Sequence, residues 1–270
     1  MTTIDTNLDD FNGPVGDWDG VYEIIECKKA LSPSGLPDID YALNPYSGCE
    51  HGCIYCYGPN TTHSELSTWR VVRVRRNSPD RLLRELPAVD GTIGIGTVTD
   101  PYQYAEKRFR LTRFCLEVLR SKNRRIHLHT KSDLVTRDID LLQEISGVTG
   151  VTITTLDDRV SKMTEPGAPL PSKRLHALSE LAAAGVNVYA LVAPVMSTLE
   201  GKERELVEAV HEAGVRTIYY NSLHLHYIDP TRILRMGITQ STPAEQELKR
   251  WGHELGVDVI DVFGNQGRKH

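Results

Sequence analysis

The sequence predicts an α/β fold built on parallel strands. Three observations predict it. Seven short, β-branched segments are bounded by Gly, Asn or Pro. Amphipathic segments of helical period lie between them. Alternation of this kind implies a parallel sheet with crossover helices, as an open sheet or a barrel. The third observation is size: 270 residues suit one large domain or two small ones, and α/β barrels run to about 200–250 residues as one unit. A hydrophobic content of 40% and a charged content of 25% are those of an ordinary globular chain. They exclude a disordered tail, a collagen and a coiled coil.

The elements follow in order. Residues 1–20 are polar and rich in Asp, Gly and Asn, so this start is expected to lack fixed structure. Residues 21–30 alternate weakly, as a strand would, and Ser32-Pro33-Ser34-Gly35-Leu36-Pro37 reads as a loop. Strands are expected over residues 39–44, 92–97, 125–130, 148–154, 186–193, 215–220 and 257–262. A helix over 111–122 places Leu111, Cys115, Val118 and Leu119 on one face, and 138–145 carries Ile139, Leu142 and Ile145 at helical spacing. The helix at 172–184 opens on Ser172 and closes at Gly185; the one at 203–213 closes at Gly214. The helix at 242–255 opens on Thr-Pro, proline being favoured at the first helical position, and closes at Gly256. No repeat, low-complexity run or linker interrupts the pattern. The expected organisation is an N-terminal extension over 1–38, a barrel over 39–263 and a polar tail over 264–270.

Apolar runs such as Val188–Val195 fall far short of the ~20 residues of a membrane span, and residues 1–10 carry no secretory pattern. A cytoplasmic location, with no membrane partner, is expected. Lys and Arg number 31 against 36 Asp and Glu, a net charge of −5, which makes no global electrostatic case for nucleic acid. Two local basic runs, Arg70–Arg76 and Arg120–Arg125, read as solvated faces, with phosphate contact as the alternative.

Parallel α/β folds place their chemistry beyond the carboxyl ends of the strands. Those loops here are 46–56, 97–103, 130–132, 154–157, 193–196 and 221–226. The first holds Cys49, Cys53 and Cys56; the other cysteines are Cys27 and Cys115. An odd count in a long chain of a reducing compartment points to metal rather than disulfides. Structural zinc wants four protein ligands, and His51 would have to supply the fourth from inside the same tight loop. An iron–sulfur cube is usually held by four thiolates, so three leave one iron open to a ligand.

The CxxxCxxC spacing with Tyr55 before the last cysteine resembles the radical S-adenosylmethionine (radical SAM) superfamily, and Asn44-Pro45-Tyr46-Ser47-Gly48 and Tyr57-Gly58 strengthen it. Further stretches, in order, are similar to the spore photoproduct lyase-like branch. They are Thr99-Asp100-Pro101-Tyr102-Gln103, Thr130-Lys131-Ser132 with Arg137-Asp138-Ile139-Asp140-Leu141-Leu142, Glu165-Pro166-Gly167-Ala168-Pro169 with Lys173-Arg174-Leu175, and Val192-Ala193-Pro194-Val195. The resemblance implies a partial (β/α)6 barrel of the radical SAM type. It implies a [4Fe–4S] cluster on Cys49, Cys53 and Cys56 and S-adenosyl-L-methionine as cofactor. It implies reductive cleavage of that cofactor to methionine and a 5′-deoxyadenosyl radical, which abstracts a hydrogen atom from substrate. A small electron donor of flavodoxin or ferredoxin type is the implied partner.

Site roles are implied in the same way. Lys131 matches a lysine that meets the cofactor carboxylate; the alternative is a solvated lysine. Thr154 falls on a hydroxyl position beside it, with Thr155 next if the register slips by one. Arg174 would aid the same carboxylate, or lie as a surface arginine at a helix start. Asp100 would accept from the cofactor ammonium, or start an Asp-Pro turn. Tyr55 belongs to the cofactor-binding loop, and Ala193 would lie along the adenine. Tyr102 and Gln103 are expected near substrate. His224 and His226 alternate with Leu and would share one side of an extended chain facing substrate, or sit on the surface.

One departure matters. The DNA-repair lyase carries a hydrogen-donating cysteine where this chain has Thr97, whose O–H bond is too strong for that task. The acidic balance also argues against duplex DNA, and the short remainder after Tyr227 favours a small-molecule, nucleoside or peptide substrate. The alternatives are lyase-like nucleic-acid repair or modification, a non-catalytic iron–sulfur sensor, and a zinc-bound nucleic-acid module.

Overall fold

The computed structural model describes residues 22–263. The disordered start expected over 1–20 and the polar tail at 264–270 lie outside the described residues.

Among the described residues eleven strands and ten α-helices follow one another. They are β1 (Glu23–Ile25), β2 (Leu31–Pro33), β3 (Tyr41–Leu43), β4 (Tyr46–Ser47), α1 (Gly58–Thr61), β5 (Arg73–Arg75), α2 (Ser78–Glu85), β6 (Ile93–Ile95), α3 (Tyr104–Phe109) and α4 (Leu111–Ser121). Then come β7 (Ile126–Thr130), α5 (Ile139–Leu142), β8 (Gly147–Thr152), α6 (Asp158–Thr164), α7 (Pro171–Ala183), β9 (Val188–Val195), α8 (Glu203–Glu212), β10 (Thr217–Ser222), α9 (Pro230–Arg235), α10 (Thr242–Leu255) and β11 (Asp258–Asp261).

The main sheet runs β11-β10-β9-β8-β7-β6-β3-β2. From β3 to β11 every pair is parallel and every neighbour is the next strand of this sheet in sequence, while β2 closes the edge antiparallel to β3. All seven expected strands are present. Six of them, β3 to β10, form the open (β/α)6 curve, and β11 extends it. Among the described residues the two edges do not pair, so the barrel is partial.

The period-two pattern sorts the strands' side chains. On β7, Ile126 and Leu128 join Leu116, Leu119, Val151, Leu178 and Val192 in the core beneath the helices. His127 and His129 take the opposite face. There they meet Tyr189 of β9, which meets Tyr219 of β10. The concave face is therefore aromatic and polar, and the convex face is aliphatic.

A second, three-stranded sheet of order β1-β5-β4 was not expected. Its strands have two or three residues, too few for an alternation to stand out. It holds the chain just before Cys49: Tyr46 pairs with Val74 and Ser47 with Arg73. Helices α2, α3 and α6 were also not expected. The run 137–142 is part of a buried ionic network. Arg137 pairs with Glu106 at 2.6 Å and with Asp138 at 2.7 Å, and Arg113 pairs with Asp138 at 2.8 Å.

Candidate active site

The cysteine loop leaves β4 and is clamped through its backbone. Cys49 N–H donates to Trp69 O at 2.9 Å, and Glu50 N–H to Gln103 Oε1 at 2.9 Å. Gln103 Nε2 donates to Gly48 O, Ile54 N–H to Thr164 O, and Gly167 N–H to His51 O. Two glycines permit this packing. Gly48 has φ +84, and a Cβ there would stand 2.6 Å from Val71 O; one on Gly167 would stand 2.2 Å from Glu50 O. Cys53, Ile54 and Tyr55 pack against Leu223, Ile228, Ile233 and Ile238, which follow β10.

The thiols lie deep. Burial pushes Cys49 well above the ordinary thiol range, and the charges of Asp100, Cys53 and Cys56 add to it. Burial pushes Cys53 up to about 12, opposed by Lys131, and raises Cys56. His51 is buried beside the loop: its Nδ1 lies 3.4 Å from Asp100 Oδ2, and burial lowers its pKa.

Lys131 stands immediately beyond β7, with its amine 5.5 Å from the centre of the Tyr55 ring. Burial alone would lower its pKa; the nearby Cys53 and Glu165 charges raise it instead. Among the described residues no carboxylate reaches it at ion-pair distance. Thr154, just past β8, donates to Glu165 Oε1 at 3.0 Å, and the Tyr55 hydroxyl donates to the same oxygen. Thr155 is turned away and accepts from Asp157 N–H at the start of α6. Of the two threonines, Thr154 is the one whose hydroxyl joins Tyr55 at Glu165.

Glu165 is the residue the sequence reading passed over. It is fully enclosed and ion-paired to Arg174 at 2.5 Å. Burial would raise its pKa, but Arg174 and Lys131 hold it below the usual carboxylate range. Arg174 is not on the surface. Its remaining bonds run to Pro169 O, Thr152 O and Ser161 Oγ. It fixes Glu165, so the surface alternative for Arg174 is overturned. The signal in the sequence was an acid and a base flanking a Pro-Gly turn, nine positions apart.

Asp100 is likewise spent inside the fold. Oδ1 accepts from Thr130 Oγ1 at 2.7 Å and Tyr102 N–H at 2.9 Å; Oδ2 accepts from Lys131 N–H at 2.7 Å and faces His51. Three hydrogen bonds and the His51 contact take up most of the accepting capacity of this carboxylate. Tyr102 and Gln103 are both buried, Tyr102 donating to Asp138 and Gln103 bracing the cysteine loop. They do not face open space. Ala193 sits half-buried near the carboxyl end of β9. His224 and His226 follow β10 at a 3-10 turn, not on an extended strand, and their rings lie 5.7 Å apart.

Residues 43–212 match the radical SAM superfamily, more than half of the chain. The chain belongs to that superfamily. It is 34% identical over 231 residues to an uncharacterised protein of Methanocaldococcus jannaschii, covering 83% of this chain and 85% of that one. A protein of Mycobacterium tuberculosis is 30% identical over 230 residues, covering 77% and 67%. Among solved structures, spore photoproduct lyase with a dinucleoside spore photoproduct superposes with a TM-score of 0.67 at 17% identity, over 89% of this chain and 82% of that chain. Streptococcus suis SuiB bound to S-adenosylmethionine gives 0.58 at 13% identity, over 82% and 51%. These likenesses show the fold. Membership of the superfamily carries radical chemistry dependent on S-adenosylmethionine and an iron–sulfur cluster in general.

The donor set of this radical SAM protein fits such a cluster. Three thiols share one loop close enough for each charge to raise the next. A bound cation would displace their protons and be met by thiolates. Among the described residues no three His, Cys, Asp or Glu side chains converge on a point fit for one ion. A buried donor, Trp69 Nε1–H, has no hydrogen-bond partner. No helix of the described residues is long and apolar enough to cross a membrane.

Proposed function

We propose that this chain reductively cleaves S-adenosyl-L-methionine at a [4Fe–4S] cluster held by Cys49, Cys53 and Cys56. The observation that carries the reading is the clamped three-thiol loop facing an unpaired lysine at the next strand ends. The cluster and cofactor together would supply a 5′-deoxyadenosyl radical for hydrogen-atom abstraction from a small-molecule, nucleoside or peptide substrate. A cube sets its ligands at separate corners, so its thiols need not converge.

The chain's own residues bind and orient. Lys131 offers its charge to the cofactor carboxylate. Thr154 and Tyr55 are oriented by Glu165, and Arg174 holds Glu165 charged. Asp100 acts as a positioning residue: it ties the ends of β6 and β7 to His51 and so fixes Lys131 against the cysteine loop. Ala193 borders the adenine, and His224 and His226 guard the open end. The working unit spans residues 39–263, with 1–38 as an extension. A small flavodoxin- or ferredoxin-type protein would deliver the electron.

Anaerobic reconstitution tests this. Protein carrying about four irons per chain, given dithionite and S-adenosylmethionine, should form 5′-deoxyadenosine. No product above the cluster-free control sinks the reading. Cys53→Ala should lose both iron and product; full activity in that variant would refute the ligand assignment.

A further inference from the structure

The concave face of the sheet carries a polar cluster that the cofactor reading does not use. His127 and His129 stand at alternate positions of β7, and His129 precedes Lys131 by two. The cluster therefore lies deeper in the curve than that lysine, on the same side of the strand. The two rings stack, with centres 4.5 Å apart. Tyr189 reaches them from β9, across β8. Its hydroxyl lies 2.8 Å from His127 Nε2 and 3.2 Å from His129 Nδ1, with His129 Nε2 at an outer 3.5 Å. Gly150 of β8 makes the crossing possible: a Cβ there would stand 2.3 Å from Tyr189 Cζ and 2.5 Å from its oxygen. Glycine inside a strand weakens it and marks a close approach of this kind. Tyr189 is buried, with 3% exposed, whereas both histidines are half-buried.

Hydrogen-bond chemistry decides what the histidines present. A phenol has one proton to give, and a neutral imidazole has one N–H and one accepting nitrogen. Burial lowers both histidines, His129 to about 3, so both rings are neutral near pH 7. The hydroxyl then donates to one ring and accepts from the other. If it donates to His127 Nε2, His127 keeps its proton on Nδ1, and His129 donates through Nδ1 and leaves Nε2 an acceptor. If it donates to His129 Nδ1, each role reverses. In both cases the rings share one tautomer, and their outer nitrogens, His127 Nδ1 and His129 Nε2, are one donor and one acceptor. Among the described residues no hydrogen bond reaches His127 Nδ1, and it is not one of the sealed polar atoms of the fold. We propose that His127 and His129 form a donor–acceptor pair on the barrel floor that binds an amide-like group of the substrate, an N–H beside a C=O, with Tyr189 as their positioning residue. That this ligand is the substrate rests on the cofactor site proposed above. A carboxylate or phosphate has no N–H to give, and neither neutral ring offsets its charge. A ring lactam or imide, as in a nucleobase, and an open carboxamide share the required chemistry.

The test reads the ring nitrogens by NMR, on reconstituted full-length protein labelled with 15N-histidine. His127→Gln and His129→Gln assign the signals. Wild type at pH 7 should show both rings neutral and in the same tautomer; opposite tautomers, or a protonated ring, overturn the proposal. Uridine, acetamide or both should shift the two outer-nitrogen signals, and the one that does so names the source, heterocycle or carboxamide. The N-methylated forms, 3-methyluridine and N,N-dimethylacetamide, keep the carbonyl and lose the N–H. Each should bind about tenfold more weakly than its parent, the worth of one hydrogen bond. No response to either amide, or equal affinity for a parent and its methylated form, overturns the proposal. Tyr189→Phe should release the rings to mixed tautomers; unchanged tautomers there would overturn the positioning role. If that variant does not fold, the wild-type tautomers and probes decide alone. Protein that forms no 5′-deoxyadenosine overturns the cofactor reading and leaves the ring readout standing, so the two failures are distinct.

Discussion

Two buried ionic clusters stand in this fold, one beneath α3 and α4 and one beside the cysteine loop. In the first, Glu106 and Asp138 have no exposure, and every charge has a partner. Arg137 bridges both acids, Arg113 reaches Asp138 and Asp140, and the Tyr46 and Tyr102 hydroxyls and Thr112 N–H fill the rest. In the second, Glu165 and Arg174 pair with each other, but among the described residues Lys131 has no ion-pair partner and the buried Trp69 indole N–H no hydrogen-bond partner. A satisfied network fixes a fold. Groups left over at its edge mark where a ligand completes it.

The strongest way to break that contrast is to remove one partner of a matched pair. Arg174→Met leaves Glu165 buried without its counter-charge, which costs about 3–5 kcal/mol. Urea unfolding should show that loss, and the double variant with Glu165→Leu should recover part of it. A single variant as stable as wild type would mean that Glu165 is not held charged. Arg137→Met should cost somewhat less, because its side chain is 23% exposed. It should leave affinity for S-adenosylmethionine unchanged.

Lys131→Met should do the reverse. It removes a cation with no ion-pair partner, so stability should hold or rise slightly. Affinity for S-adenosylmethionine on reconstituted protein, read by calorimetry, should fall at least about tenfold, or about 1.4 kcal/mol. Loss of stability with intact affinity would place Lys131 with the structural network.

The aliphatic face of the sheet was legible in the sequence, because β-branched runs repeat at every strand and three of the expected helices close on Gly185, Gly214 and Gly256. The CxxxCxxC loop was legible because its ligands lie within eight residues. The matched cores of both clusters were not. Tyr55 meets Glu165 across 110 positions and Tyr46 meets Glu106 across 60. No local period records such contacts. Tyr102 and Gln103 looked like loop residues open to substrate because they follow a strand end; only tertiary packing turns them inward. Trp69 was similarly silent, since its carbonyl holds Cys49 N–H, which lies before an irregular turn.

The concave face sharpens the comparison by pH. Burial lowers His127, and lowers His129 to about 3; both flank the Tyr189 hydroxyl, His127 Nε2 at 2.8 Å and His129 Nδ1 at 3.2 Å. His51 is lowered too. Above about pH 6.5 these imidazoles are neutral folded or unfolded, and stability is independent of them. Below it the unfolded chain binds protons that the fold refuses. Stability is therefore lost as pH falls from about 6.5 toward 3, with a slope approaching about 1.4 kcal/mol per pH unit for each histidine. Unfolding measured between pH 7 and 5 isolates this from the carboxylates. His129→Asn should flatten the slope by up to one proton; an unchanged slope would show that His129 titrates normally in the fold.

The smallest effect belongs at the rim of the first cluster. Asp140 accepts two bonds from Arg113, at 2.8 and 2.9 Å, and that pairing lowers its pKa. By geometry it equals the buried pairs. Its side chain, however, is 57% exposed, and water already solvates both partners in the unfolded chain. Exposed pairs of this kind contribute about 0–1 kcal/mol. Asp140→Asn should therefore shift Tm by at most about 4 °C, and added salt should shrink even that. Arg113 keeps Asp138 at 2.8 Å in the variant, so the buried part of the network loses nothing. A loss as large as that of Arg137→Met would mean that the cluster acts as one unit, and that distance rather than burial sets the worth of each pair.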